Sequence, residues 1–202
     1  MKHPLYPAAL AALLAAGTLL GGCAAAPTSL SLQEAELSEE ETALLELIGA
    51  EEKPLLYEYQ VDGQCRKVEL RRYLLDQTDY HWEADSFSST PSEESGRIAF
   101  LPTADGSCQV SVQSGSQISR STYPSWEKAE NAGEGSIWES ESPIVYGQEL
   151  PLLVQVQSGA DSHSIYTPEV SWEEPETYQN ANVRQAMLFT VTFCDQENCN
   201  HQ

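Results

Sequence analysis

The chain has 202 residues, with 31 acidic side chains against 10 basic ones and a formal charge of −21. That balance argues against a nucleic-acid partner, which needs a basic footprint, and against lying flat on anionic lipid. The length suits one domain with a sizeable core.

The first 23 residues have the parts of an export signal. Met1-Lys2-His3 is a short positive start, and Ala8 to Leu20 is an uncharged run of Ala and Leu with Pro7 before it and Gly17 within it. A membrane-spanning helix needs roughly 20 continuous apolar residues, so the run is too short for a permanent span. Leu19-Leu20-Gly21-Gly22-Cys23 closes it. This stretch resembles the lipobox of bacterial lipoproteins, with Leu20 at −3, Gly21 and Gly22 at −2 and −1, and Cys23 as the first mature residue. The resemblance implies a signal peptide over 1–22 and a diacylglycerol thioether on Cys23. It also implies a place on the extracytoplasmic face of the cell membrane. Ala24-Ala25-Ala26 leaves an ordinary secretory cut after Ala26 as the alternative. Loss of residues 1–22 removes Lys2 and no acid, so the mature charge is −22. The lipid is then the expected membrane contact.

Residues 23–37 read as a lipidated tether, whose free part of some 14 residues spans at most about 50 Å. A single domain is expected over 38–202. It opens with a helix: Ser38 at the N-cap and Glu41 three residues on form a capping box, and Glu39, Glu40 and Glu41 suit the positive end of the helix dipole. Leu37, Leu44, Leu45 and Ile48 make an apolar stripe expected to pack on the domain, with Gly49 as C-cap.

After the helix the period changes to two. Leu55 to Val61 and Arg66 to Leu75 flank Asp62-Gly63, which predicts a β-hairpin. Arg66, Lys67, Arg71 and Arg72 concentrate positive charge there. Cross-strand pairing with Glu58 and other carboxylates is the expected role, and contact with an acidic polymer is the functional alternative. A short strand is expected near Tyr80-His81-Trp82, and residues 85–96 read as an exposed Ser/Glu/Pro loop. Arg97 to Leu101 and Cys108 to Gln113 predict a second hairpin. Residues 114–136 are weakly patterned. Ile137 to Tyr146 and Leu150 to Gln157 read as a strand pair linked near Gly147. Glu169 to Trp172 reads as a short strand and Pro175 to Tyr178 as one helical turn. Gln185 to Phe193 is the clearest strand, with Met187, Phe189, Val191 and Phe193 alternating with Leu188, Thr190 and Thr192. The sum is mainly β: a two-layer antiparallel β-sandwich-like domain with one N-terminal amphipathic helix.

Besides Cys23 there are Cys65, Cys108, Cys194 and Cys199. An even remainder in an exported chain suggests two disulfides with three possible pairings. Cys194–Cys199 as a local clip and Cys65–Cys108 across the sheet are the pairings favoured here, with four unpaired thiols as the alternative. Cys194, Cys199 and His201 are spaced poorly for zinc.

No catalytic constellation stands out. Gly-x-Ser-x-Gly is absent, and the mature chain has only His81, His163 and His201. The Asp-x-Asp-x-Asp-Gly calcium loop is absent too. Carboxylates are too abundant for any pair to single itself out, although a carboxylate-based hydrolase remains one alternative. Trp82, Trp126, Trp138 and Trp172 would bind a glycan if they shared an exposed face with Tyr residues. Capped helix, Asp-Gly turn, the 147–153 segment, Pro-Glu-x-Tyr at 175–178 and the final Thr-Val-Thr-Phe strand together resemble uncharacterised surface lipoproteins of Gram-positive anaerobes. That group implies location and fold and carries no activity. The expectation is therefore a monomeric, non-enzymatic binding domain at the cell envelope with no cofactor and no metal. Its partner would be an envelope protein or a glycan.

Overall fold

The computed structural model describes residues 30–47, 54–75, 81–102, 107–125, 134–138, 141–158, 174, 177–178 and 183–198. The lipobox, Cys23, Cys199, His163, His201, Gly49, Trp126, Trp172 and the strand expected over 169–172 lie outside those residues.

Eleven strands and one helix form the described fold. In chain order they are β1 (Ser31–Ala35), α1 (Glu39–Leu47), β2 (Leu55–Gln60), β3 (Lys67–Leu75), β4 (Trp82–Ser89), β5 (Ser95–Pro102), β6 (Cys108–Ser114), β7 (Gln117–Tyr123), β8 (Glu134–Trp138), β9 (Glu141–Pro143), β10 (Glu149–Ser158) and β11 (Val183–Cys194). Six strands make a first sheet in the order β7-β6-β5-β2-β1-β9, and five make a second in the order β4-β3-β11-β10-β8. All the pairings are antiparallel. The mainly β, two-sheet architecture expected from the sequence is the one observed.

The core lies between the sheets, where alternation sends every second side chain inward. Tyr57, Tyr59, Ile98, Phe100, Val110 and Val112 come from the first sheet and meet Val68, Leu70, Phe189, Val191 and Phe193 from the second. Aromatic contacts stitch the layers together: Tyr59 to Phe193 at 5.3 Å between ring centroids, and Phe100 to Phe189 at 5.1 Å. The Tyr57 hydroxyl donates to the Leu152 carbonyl at 2.6 Å, which satisfies a buried polar atom across the interface. At one side of the sandwich Arg72 ties the sheets. Its guanidinium donates to both Asp85 oxygens at 3.1 and 2.7 Å and to the Pro124 carbonyl at 3.4 Å, and it stacks 4.8 Å from the Tyr123 ring centre.

Several expectations are corrected. The Asp62-Gly63 turn exists, with Asp62 Oδ1 accepting the Gln64 N–H at 2.9 Å, but β2 and β3 do not pair. Both edges of β2 are taken by β1 and β5, and both edges of β3 by β11 and β4. The turn carries the chain from one sheet to the other. Residues 31–35 are not tether: they form β1 between β2 and β9, and Leu32 enters the core at 2 % exposure. The loop expected over 85–96 holds the end of β4 and the start of β5, and the weakly patterned stretch 114–136 holds all of β7 and the start of β8. β4 and β7 are edge strands, so much of their surface faces water and their serine-rich composition hides the alternation. β8 pairs with β10 as expected, but β9 crosses to the first sheet.

The helix begins as its sequence says. Ser38 Oγ accepts the Glu41 N–H at 3.2 Å, and Glu41 Oε2 takes the Ser38 N–H at 2.9 Å, which is the reciprocal capping box. The expected burial of its apolar stripe is found only in part: Leu37 and Leu45 are half-buried against the sheet, and Leu44 is not. No α1 residue is buried, and Leu44 and Leu47 are 58 % and 83 % exposed. Ile48 lies outside the described residues. The helix meets the sheet through an ion pair and leaves a gap beneath its leucines.

Candidate functional site

Because the inward residues of the first sheet fill the core, the alternate set faces outward: Gln33 on β1, Leu56, Glu58 and Gln60 on β2, Arg97 and Ala99 on β5, Ser111 and Gln113 on β6, Ile118 and Arg120 on β7. This outer face carries two hollows that share Arg97 and Gln113 among their lining residues.

Arg97 stands where they meet. It is the cross-strand partner of Glu58, and its Nε and Nη2 donate to Glu58 Oε1 at 3.0 and 2.7 Å. Its Nη1 donates to Glu41 Oε1 on the helix at 2.6 Å. The hydrogen bond to Glu58, then that to Glu41, raises the Arg97 pKa against the opposing effect of burial. Glu41 is held below the ordinary carboxylate value, first by the Ser38 backbone and hydroxyl and then by Arg97. One guanidinium therefore fixes the helix over the sheet.

The first hollow is polar and encloses about 470 Å³ among Gln33, Glu58, Gln60, Glu93, Arg97 and Gln113. Gln60 Nε2 donates to the Val61 and Glu94 carbonyls at 3.1 and 3.0 Å, and Gln113 Nε2 to the Gly115 carbonyl at 3.2 Å. The second encloses about 280 Å³ between helix and sheet, with Leu44, Leu45, Leu56, Ala99 and Ile118 as its apolar lining and Arg120 beside them. Small Ala99 and Ser111 lie between Leu56 and Arg120 in one cross-strand row, which leaves the hollow under the helix leucines. Where carboxylate shifts are resolved among the described residues, at Glu41, Asp62 and Asp195, they are downward. A general acid needs the opposite shift.

The residues singled out from the sequence fall elsewhere. Cys65 and Cys108 are free thiols, so the expected bridge between them is not formed. Cys108 pairs with Pro102 at one end of the first sheet, while Cys65 follows β2 beyond the other end, where Gly96 faces Ser114. Six strand steps of about 3.4 Å separate those ends by about 20 Å, against a limit of about 7 Å between bridged Cα atoms. Burial raises the Cys65 thiol pKa and pushes that of Cys108 up to about 11. Cys194 is disulfide-bonded, and its partner lies outside the described residues.

The basic strip does not reach Glu58, which belongs to the other sheet. Arg72 takes Asp85. Lys67 pairs with Glu69 at 2.9 Å, and Arg71 lies 3.5 Å from Glu69 and 3.8 Å from Glu149. Trp82 offers no exposed platform: it packs edge-on against Tyr178 at 5.3 Å and Tyr73 at 6.3 Å. Among the described residues no group of three His, Cys, Asp or Glu is placed to hold a metal, and no helix is long and apolar enough to cross a membrane. The two-part groove is absent from the sequence reading because its lining comes from five strands and a helix. Only the Ser38 cap and the Leu44–Leu45 stripe signalled it.

No protein-family model matches the chain, and no curated protein or solved structure matches it.

Proposed function

We propose that this chain is a lipid-anchored binding protein of the cell envelope. Its anchor is Cys23 and its binding surface is the outer face of the first sheet. The lipobox resemblance of Leu20-Gly21-Gly22-Cys23 supports the location. Binding rather than turnover is supported by the groove, where the ion pairs of Arg97 hold Glu41 and Glu58 in structural roles. Two acyl chains at about 0.8 kcal/mol per buried methylene would anchor the protein durably, and the mature charge would keep the domain off anionic lipid. Cys194–Cys199 remains the pairing we propose for the terminal clip.

Detergent phase separation of whole cells tests this reading. The protein partitions into the detergent-rich phase, and the Cys23→Ala chain moves to the aqueous phase. A wild-type protein found in the aqueous phase would overturn it.

A further inference from the structure

The hollow under α1 has a mainly apolar lining, one guanidinium with no partner among the described residues, and a helix whose apolar face is only partly covered. Leu44 on the helix and Ile118 on β7 are 58 % and 50 % exposed on its rim. A helix of nine residues has little stability alone and normally draws it from burying such a face. Of the two guanidiniums lining the hollow, Arg97 is neutralised by Glu41 and Glu58. No hydrogen bond or ion pair reaches the Arg120 side chain among the described residues. In a chain of 31 acids, a guanidinium left unpaired beside exposed leucine and isoleucine matches an anion attached to an apolar body. The volume of about 280 Å³ sits at the lower edge of small-ligand sites, which are lined mainly by apolar groups with a few fixed polar ones. An acidic polymer would meet the repulsion of the whole molecule along its length, whereas a single carboxylate meets it once, beside Arg120, and the Glu41 carboxylate in the same lining is already paired with Arg97.

We infer that this hollow takes a fatty-acid-type ligand, an unbranched apolar chain ending in one carboxylate, with the chain between α1 and the sheet and the carboxylate on Arg120. The inference rests on the reading of this outer face as the binding surface. It does not depend on the anchor.

The test is calorimetric titration of dodecanoate, below its micelle-forming concentration, into the full chain carrying Cys23→Ala, which holds no acyl group of its own. One saturable site is expected. Arg120→Gln weakens binding by about tenfold, as loss of a charge-assisted hydrogen bond does, and dodecanol binds more weakly than dodecanoate by a similar factor. Leu44→Asp abolishes binding. Both replaced side chains are exposed; an unchanged thermal midpoint shows that the sandwich of each variant is folded, and unchanged amide exchange within Glu39–Leu47 shows that its helix is. No binding of dodecanoate, or dodecanol bound as tightly, overturns the ligand class and leaves the surface open to other partners. Dodecanoate bound equally by wild type, Arg120→Gln and Leu44→Asp places the ligand elsewhere and overturns the surface reading as well.

Discussion

Tyr59 passes directly beneath Gly96. Its hydroxyl donates to the Gln113 carbonyl at 3.2 Å, and a Cβ on residue 96 would stand 2.2 Å from both that hydroxyl and that carbonyl oxygen. Gly96 is thus required by close approach, since one of its two neighbours is backbone and cannot swing aside. Gly96→Ala should lose about 1–3 kcal/mol of stability in a denaturant titration. Adding Tyr59→Phe should not restore it, because the Gln113 oxygen remains. A Gly96→Ala protein with an unchanged midpoint would show that the strands are further apart than described.

The helix should come loose before the sandwich does. Ser38→Ala removes the acceptor for the Glu41 N–H and costs about 1 kcal/mol of helix stability. Because α1 buries no side chain, this loss should appear as faster amide exchange within Glu39–Leu47, with the global unfolding midpoint almost unmoved. A global loss of equal size would mean that the helix is part of the cooperative core.

The free thiols should be slow to react in the folded protein. Cys65 is 7 % exposed with a raised pKa, and Cys108 is raised to about 11, so at neutral pH each is almost wholly protonated. Peptide mapping after alkylation without reductant should find both unmodified in the native protein and modified in denaturant. Cys194 should be modified only after reduction. Rapid native labelling of Cys65 would contradict its burial.

Stability should fall at both ends of the pH scale through one contact. Tyr146 donates to Asp62 Oδ1 at 2.7 Å. That bond, followed by the Gln64 N–H, lowers the Asp62 pKa, so its contribution is present above the unfolded value of about 3.9 and is lost as pH falls through the folded one. Burial first, and then the bond to Asp62, raise the Tyr146 pKa. Its contribution is present below about 10, the unfolded value, and is lost as pH rises from there toward the folded one. Asp62→Asn should flatten the acid limb of a melting-temperature profile, and Tyr146→Phe should flatten both limbs. Identical profiles for wild type and Tyr146→Phe would refute the coupling.

What the sequence made legible follows from how strongly each segment is constrained. β11 was readable because Met187, Phe189, Val191 and Phe193 all enter one core, and the β5–β6 hairpin because Ile98, Phe100, Val110 and Val112 do likewise. The Ser38 cap is a local device and appears where its residues are. Asp62-Gly63 specifies a turn but not which free edge the next strand joins, and here the edges beside β2 belong to β1 and β5. β4 carries Ser86 and Ser88 on its outer face and β7 carries Ser119 and Ser121 on its inner one, so period two was hidden at the edges of both sheets. The outer-face groove depends on cross-strand neighbours such as Arg97 and Glu58, 39 residues apart, which no local pattern reveals.

The account turns on Cys23, and intact mass of the protein from the membrane fraction addresses it most directly. The predicted mass is that of residues 23–202 plus two or three acyl chains, replaced in the Cys23→Ala chain by an unacylated species. A wild-type mass that begins at Pro27 and carries no lipid would contradict the anchor and make this a freely secreted domain.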